Sequence, residues 1–123
     1  MAQTVYYVTA ALSLGAPGRA ASFCVPTGNF GDILAGWYAV RMGADISQLI
    51  LATNENDILR RFFDTGEYSL GQVHQTLSPS MDIQVSSNFE RLLFDMEGRD
   101  GSTTAARMKW FEQMGKMVLS SDM

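Results

Sequence analysis

The sequence predicts an α/β fold, with three αβα layers around a mostly parallel sheet. Two observations carry that expectation. Residues 20–25 form a continuous apolar run broken only by Ser22, the pattern of a parallel strand buried on both faces. Residues 48–52 read as a second strand, and each strand leads into a segment of helical periodicity. Strand, helix, strand, helix is the rhythm that builds parallel sheets through right-handed crossovers. At 123 residues, with 46% apolar and 18% charged side chains, the chain is bounded to one domain.

Taken in order, residues 3–14 read as a helix with Val5, Val8 and Leu12 facing inward. Gly15 and Pro17 stand where a helix stops. After the first strand, a helix starts at Asp32 as N-cap, turns Ile33, Leu34, Trp37, Tyr38 and Met42 inward, and closes at Gly43. After the second strand, Asn54 or Asn56 caps a helix to about residue 64, with Ile58, Leu59, Phe62 and Phe63 inward and Gly66 at its end. Residues 72–77 read as a third strand. Residues 78–83 are a turn in which Pro79 keeps Ser78 extended. Ser87 and Glu90 have capping-box spacing for a helix over 88–97 with an apolar stripe of Phe89, Leu92, Leu93 and Met96. Arg99-Asp100-Gly101 reads as a loop. A last helix over 104–119 buries Met108, Phe111, Met114 and Val118.

The chemistry concentrates at Val25-Pro26-Thr27-Gly28-Asn29-Phe30-Gly31-Asp32. A strand that ends in a turn with two glycines and then opens a helix is one way to build an anion site. Glycine tolerates positive φ and close approach by a ligand. The first N–H groups of the helix lack intrahelical partners and carry the positive end of the helix dipole. No lysine followed by Ser or Thr comes after the second glycine, so this is not a P-loop, and the glycine spacing is not the dinucleotide fingerprint. What remains is a cradle for one phosphate, held mainly by backbone. Gly28 and Gly31 shape it, and Asn29 is the side chain placed to donate to a phosphate or ring oxygen. Thr27 offers a second hydroxyl donor. Phe30 either floors the pocket or staples the turn to the core. Asp32 sets a negative charge beside the guest unless its carboxylate turns onto its own backbone.

At these residues a resemblance enters. The run from Val25 to Gly36 resembles threonine synthase, a pyridoxal-phosphate enzyme of the tryptophan-synthase-β-like, fold-type-II class. Three further stretches are similar to that family in its order and spacing. They are Ala52-Thr53-Asn54-Glu55-Asn56-Asp57-Ile58-Leu59, Leu77-Ser78-Pro79-Ser80-Met81-Asp82-Ile83, and Ser86-Ser87-Asn88-Phe89-Glu90-Arg91-Leu92-Leu93-Phe94. The resemblance implies that Gly28-Asn29-Phe30-Gly31 holds the phosphate of pyridoxal 5'-phosphate, with Thr27 and Asp32 beside it. It implies a parent enzyme that converts O-phospho-L-homoserine and water into L-threonine and phosphate. Family members are several times longer, so residues 1–123 read as a single partial domain, an internal fragment to be completed by the remainder of the parent. The family's Schiff-base lysine lies upstream of the turn. Here the lysines are Lys109 and Lys116, in a C-terminal segment without that motif, so no catalytic residue is assigned and the fragment is expected to be inactive. A related fold-type-II lyase, or a non-enzymatic phosphate- or nucleotide-binding module, stays as the alternative.

Composition bounds the rest. Net charge is −4 and the arginines are scattered, which argues against a nucleic-acid surface. No apolar run is long enough to cross a bilayer, and the single cysteine cannot form an internal disulfide, so a cytoplasmic setting is expected. Cys24 reads as a small buried hydrophobe. The cluster Asn54-Glu55-Asn56-Asp57 reads as helix capping rather than a metal site, and one histidine, His74, makes a His-rich site impossible. Ser78, Ser80 and Asp82 are left between substrate contact and capped linker, and His74 between structural residue and general base.

Overall fold

A computed structural model describes residues 2–119. In chain order the elements are α1 (Thr4–Ser13), β1 (Ala21–Pro26), α2 (Gly31–Arg41), β2 (Ile46–Ala52), α3 (Ile58–Thr65), β3 (Glu67–Ser69), α4 (Phe89–Met96), α5 (Gly101–Met114) and β4 (Lys116–Val118), with a single 3₁₀ turn at Pro79–Met81. The α/β class is as expected. β1 and β2 pair in parallel, with Phe23 opposite Leu49 and Val25 opposite Leu51, and α2 is the crossover between them. β3 and β4 form a separate antiparallel pair in which Tyr68 faces Met117.

The core is a continuous apolar cluster with an aromatic centre. Tyr68 and Phe89 are both fully buried and stack with ring centroids 4.1 Å apart and planes 2° from parallel. Phe62 meets Phe89 edge-on at 4.8 Å, and Phe111 leans on Tyr68 at 4.9 Å. This cluster joins α3, β3, α4 and α5, while Tyr7, Leu34, Ala35 and Ala39 join α1 to α2. Gly36 makes the second junction possible, since a Cβ there would come within 2.8 Å of the Tyr7 ring.

Several sequence expectations need correction. α1 buries Thr4, Tyr7 and Ala11, while Val5 and Leu12 are each 59% exposed. The helix is apolar on most of its circumference, and the small Ala11 and flat Tyr7 approach α2 more closely than branched side chains can. β1 alternates between buried and exposed residues, so only one of its faces is covered and Cys24 is exposed. Met42, Phe63, Met114 and Val118 are also exposed rather than inward. Asp32 is not the N-cap of α2. Phe30 holds that position and Asp32 sits in the first turn.

Neither Asn54 nor Asn56 caps α3, whose N-cap is Asp57, and the Ser87–Glu90 capping box is not formed. Those asparagines, and Ser87, have partners elsewhere. Residues 72–77 are coil because side chains take the place of a partner strand. His74 N donates to Asn56 Oδ1 at 2.8 Å and Thr76 N to Asp82 Oδ2 at 2.8 Å, while Gln84 Nε2 donates to the Gln72 carbonyl at 2.6 Å. The last helix starts earlier than expected, because Asp100 caps it by accepting from Ser102 N and Thr103 N. It also ends earlier, because Gly115 takes φ 69° and turns the chain into β4.

Two outcomes test this account. Leu93→Ala, in the fully buried stripe of α4, is expected to cost ~3 kcal/mol in urea unfolding, against a negligible change for Leu12→Ala. Equal costs would contradict the packing described. Hydrogen bonds from the Ser102 and Thr103 hydroxyls, then from their amides, push the Asp100 carboxyl from 3.8 down to about 2. A depressed carboxyl pKa stabilises the fold above 3.8 and loses that contribution as pH falls towards 2. Asp100→Ala should therefore lower Tm at neutral pH, with the gap to the parent closing on acidification through that window.

Candidate anion-binding site

The turn between β1 and α2 is fixed by its carbonyls. Thr27 N donates to the Ala52 carbonyl at 2.7 Å and so adds one rung beyond β1. The Gly28 carbonyl accepts from Ser86 Oγ. The Asn29 carbonyl accepts twice from Asn88, from its N at 3.1 Å and its Nδ2 at 2.9 Å. The Phe30 carbonyl accepts from Leu34 N at 3.3 Å, the first bond of the helix. The amides behave in the opposite way. Among the described residues, none of Gly28, Asn29, Phe30, Gly31 and Asp32 gives its N–H to a protein acceptor. A run of unpartnered N–H groups at the start of an eleven-residue helix suits a negative guest.

The backbone reaches this shape differently from the sequence expectation. Neither Gly28 nor Gly31 takes positive φ; Phe30 does, at φ 61° and ψ 12°. The glycines are required for space instead. A Cβ on Gly28 would lie 3.1 Å from Met81 Cα and 3.3 Å from the Ser80 carbonyl oxygen, and one on Gly31 would lie 3.3 Å from Asn88 Nδ2. The segment 78–83 is thus a wall of the turn, and a Cβ at position 28 would have to push its backbone back by a few tenths of an ångström.

The candidate side chains separate into groups. Asn29 is exposed, and its Oδ1 accepts a long bond from Ser87 Oγ at 3.4 Å. Thr27 is buried and its hydroxyl donates to the Val25 carbonyl at 2.7 Å, so its proton is committed to the backbone. Phe30 staples the turn to the core, and its ring borders an apolar hollow between α2 and β2. Its ring is buried, stacked on Phe63 at 6.1 Å and edge-on to Phe89 at 6.4 Å, which leaves only its amide to the site. Asp32 is exposed and lies beside the buried Tyr7 hydroxyl, which has no hydrogen-bond partner among the described residues. Burial, and then the Asp32 carboxylate, hold the Tyr7 phenol above its ordinary range. Lys109 and Lys116 are exposed on α5 and β4.

A polar network behind the wall is what the sequence reading missed. Asp82 accepts from Thr76 Oγ1 at 2.6 Å, Thr76 N at 2.8 Å, Asn54 Nδ2 at 2.8 Å and Asn56 Nδ2 at 3.2 Å. The Thr76 hydroxyl, then its amide, keep the Asp82 carboxyl below the usual carboxylate range. Asn56 also donates to the His74 carbonyl at 2.8 Å. Asp82 thus ties the wall to the end of β2, and His74 contributes its backbone to that network. The density of amides and acids at residues 54–57 was the available signal. It points to capping as readily as to a long-range clamp.

No family model matches the chain. It is 59% identical over 117 residues to threonine synthase from Pseudomonas aeruginosa, a match covering 95% of this chain and 25% of the relative. Threonine synthase from Corynebacterium glutamicum is 54% identical over 106 residues, covering 83% of this chain and 22% of the relative. Among solved structures, pyridoxal-phosphate-bound threonine synthase from Brucella melitensis superposes with a TM-score of 0.91 at 57% identity, covering 97% of this chain and 26% of that one. The yeast enzyme gives 0.88 at 39% identity, covering 98% and 26%. The chain therefore spans about a quarter of the length of the curated relatives it matches. By sequence and by fold it belongs with the threonine synthases, as a segment of that family.

Proposed function

We propose that the chain supplies the phosphate-holding half of a pyridoxal 5'-phosphate site in a threonine synthase. The observation that carries this reading is the set of unpartnered amides from Gly28 to Asp32, with the carbonyls of Gly28, Asn29 and Phe30 engaged by the protein. These amides would hold the cofactor's phosphate, and the exposed Asn29 side chain would add a donor. Thr27 keeps the strand end rigid rather than binding. When bound, pyridoxal phosphate supplies an electron sink for bonds broken at the amino-acid substrate.

The residues of this chain bind and orient. The helix dipole of α2 favours a dianion at its start. The Asp32 carboxylate lies towards Tyr7, which limits its repulsion of that guest. The substrate in this reading is O-phospho-L-homoserine, converted with water into L-threonine and phosphate, and the setting is the cytoplasm. Neither nucleic acid nor membrane is a partner in it. Lys109 and Lys116 lie outside the turn, so the reading draws its Schiff-base lysine from the remainder of the parent enzyme.

Titration of the chain with pyridoxal phosphate should give weak, saturable binding that inorganic phosphate displaces. Gly28→Val and Gly31→Val should abolish it, the first by forcing the wall at Met81 away and the second by displacing Asn88. Equal binding by parent and both variants would remove the site assignment. The chain alone should give no turnover of O-phospho-L-homoserine; turnover free of a full-length contaminant would overturn the assignment of the reactive lysine to another segment.

A further inference from the structure

Residues 86 and 88 lie far along the chain from the turn, yet their side chains meet it at its carbonyls. Ser86 is buried, and its Oγ donates to the Gly28 carbonyl. Asn88 directs both its N and its Nδ2 at the Asn29 carbonyl. A trans peptide is planar, so the carbonyl of one residue and the N–H of the next point in opposite directions. Whatever draws the Gly28 carbonyl inward turns the Asn29 amide outward. Whatever draws the Asn29 carbonyl inward does the same for the Phe30 amide. The Leu34 amide performs that service for Gly31 through the Phe30 carbonyl.

We propose that Ser86 and Asn88 are positioning residues of the anion site, each aiming one backbone amide at the guest without touching it. The inference rests on the reading of the turn as a phosphate site. It assigns a distinct amide to each residue, Asn29 N–H to Ser86 and Phe30 N–H to Asn88. Neither bond is needed to join segment 86–88 to the core. Ser86 N has its own bond to the Tyr68 hydroxyl at 2.9 Å, and Phe89 is packed in the aromatic cluster. Removing either side-chain donor should therefore loosen the aim of one amide while the core persists.

The test is a titration of the isotopically labelled 123-residue chain with inorganic phosphate, followed amide by amide, for the parent, Ser86→Ala, Ser86→Thr and Asn88→Asp. Asn88→Asp keeps the size of the side chain and replaces a donor with an acceptor that repels the Asn29 carbonyl. In the parent, the amides of residues 28 to 32 should shift together. Ser86→Ala should weaken phosphate binding by about tenfold, the usual equivalent of one lost hydrogen bond, with the Asn29 amide losing its response first. Asn88→Asp should weaken binding at least as much and silence Phe30 first. Ser86→Thr, which keeps the hydroxyl, should restore both affinity and the Asn29 response. Variants that bind within a factor of about two of the parent would overturn the inference and leave the anion site standing. So would a loss of response spread evenly over the whole chain, which marks a merely structural role. A parent whose turn amides ignore phosphate would overturn the reading of the site, and the inference with it.

Discussion

The turn depends on one buried ring. Phe30 occupies left-handed backbone at φ 61°, a conformation that costs a non-glycine residue roughly 1–3 kcal/mol. Its side chain is 4% exposed and packed between Phe63 and Phe89, so leaving the left-handed region would pull an aromatic ring out of the core. Burying a phenylalanine is worth roughly 2–3 kcal/mol, enough to offset the strain. The left-handed step at Phe30, from which α2 begins, is held by that balance. A glycine at 30 would relieve the strain and lose the anchor.

Much of this was legible in the residues, and the failures have physical causes. The parallel pair, the crossover helix and the helix stops at Gly15, Gly43 and Gly66 all follow from local rules of periodicity and capping. The position of the turn between β1 and α2 was legible too, but its construction was not. The glycines were expected to supply unusual backbone angles, whereas they supply room for Met81 and Asn88, and the unusual angles belong to Phe30. Close approach between segments some fifty residues apart leaves no local trace. The same limit applies to Asn54, Asn56 and Ser87, which have helix-capping chemistry and spend it on long-range partners. Helix faces were misassigned wherever apolar residues surround the helix, as in α1, because composition then cannot choose a side.

The covered and uncovered faces fit a segment that spans about a quarter of its relatives. Ile33, Trp37, Leu49, Leu51, Phe63 and Leu92, with Phe30 and Met96, line an open apolar hollow of about 590 Å³. Cys24 and Ile50, opposite one another in the parallel ladder, are both exposed. The turn between β1 and α2 is better supported than these faces, since α4, the wall at 78–83 and the Asp82 network all brace it from within the described residues.

Tyr68 gives that bracing an unexpected reach. Its ring is fully buried against Phe89 and Phe111, its backbone pairs with Met117, and its hydroxyl accepts the amide of Ser86, the residue that grips Gly28. The short C-terminal ribbon and the turn between β1 and α2 are thereby linked through one phenol. Were β4 to pull away, the grip of Ser86 on Gly28 would lose the support of that phenol.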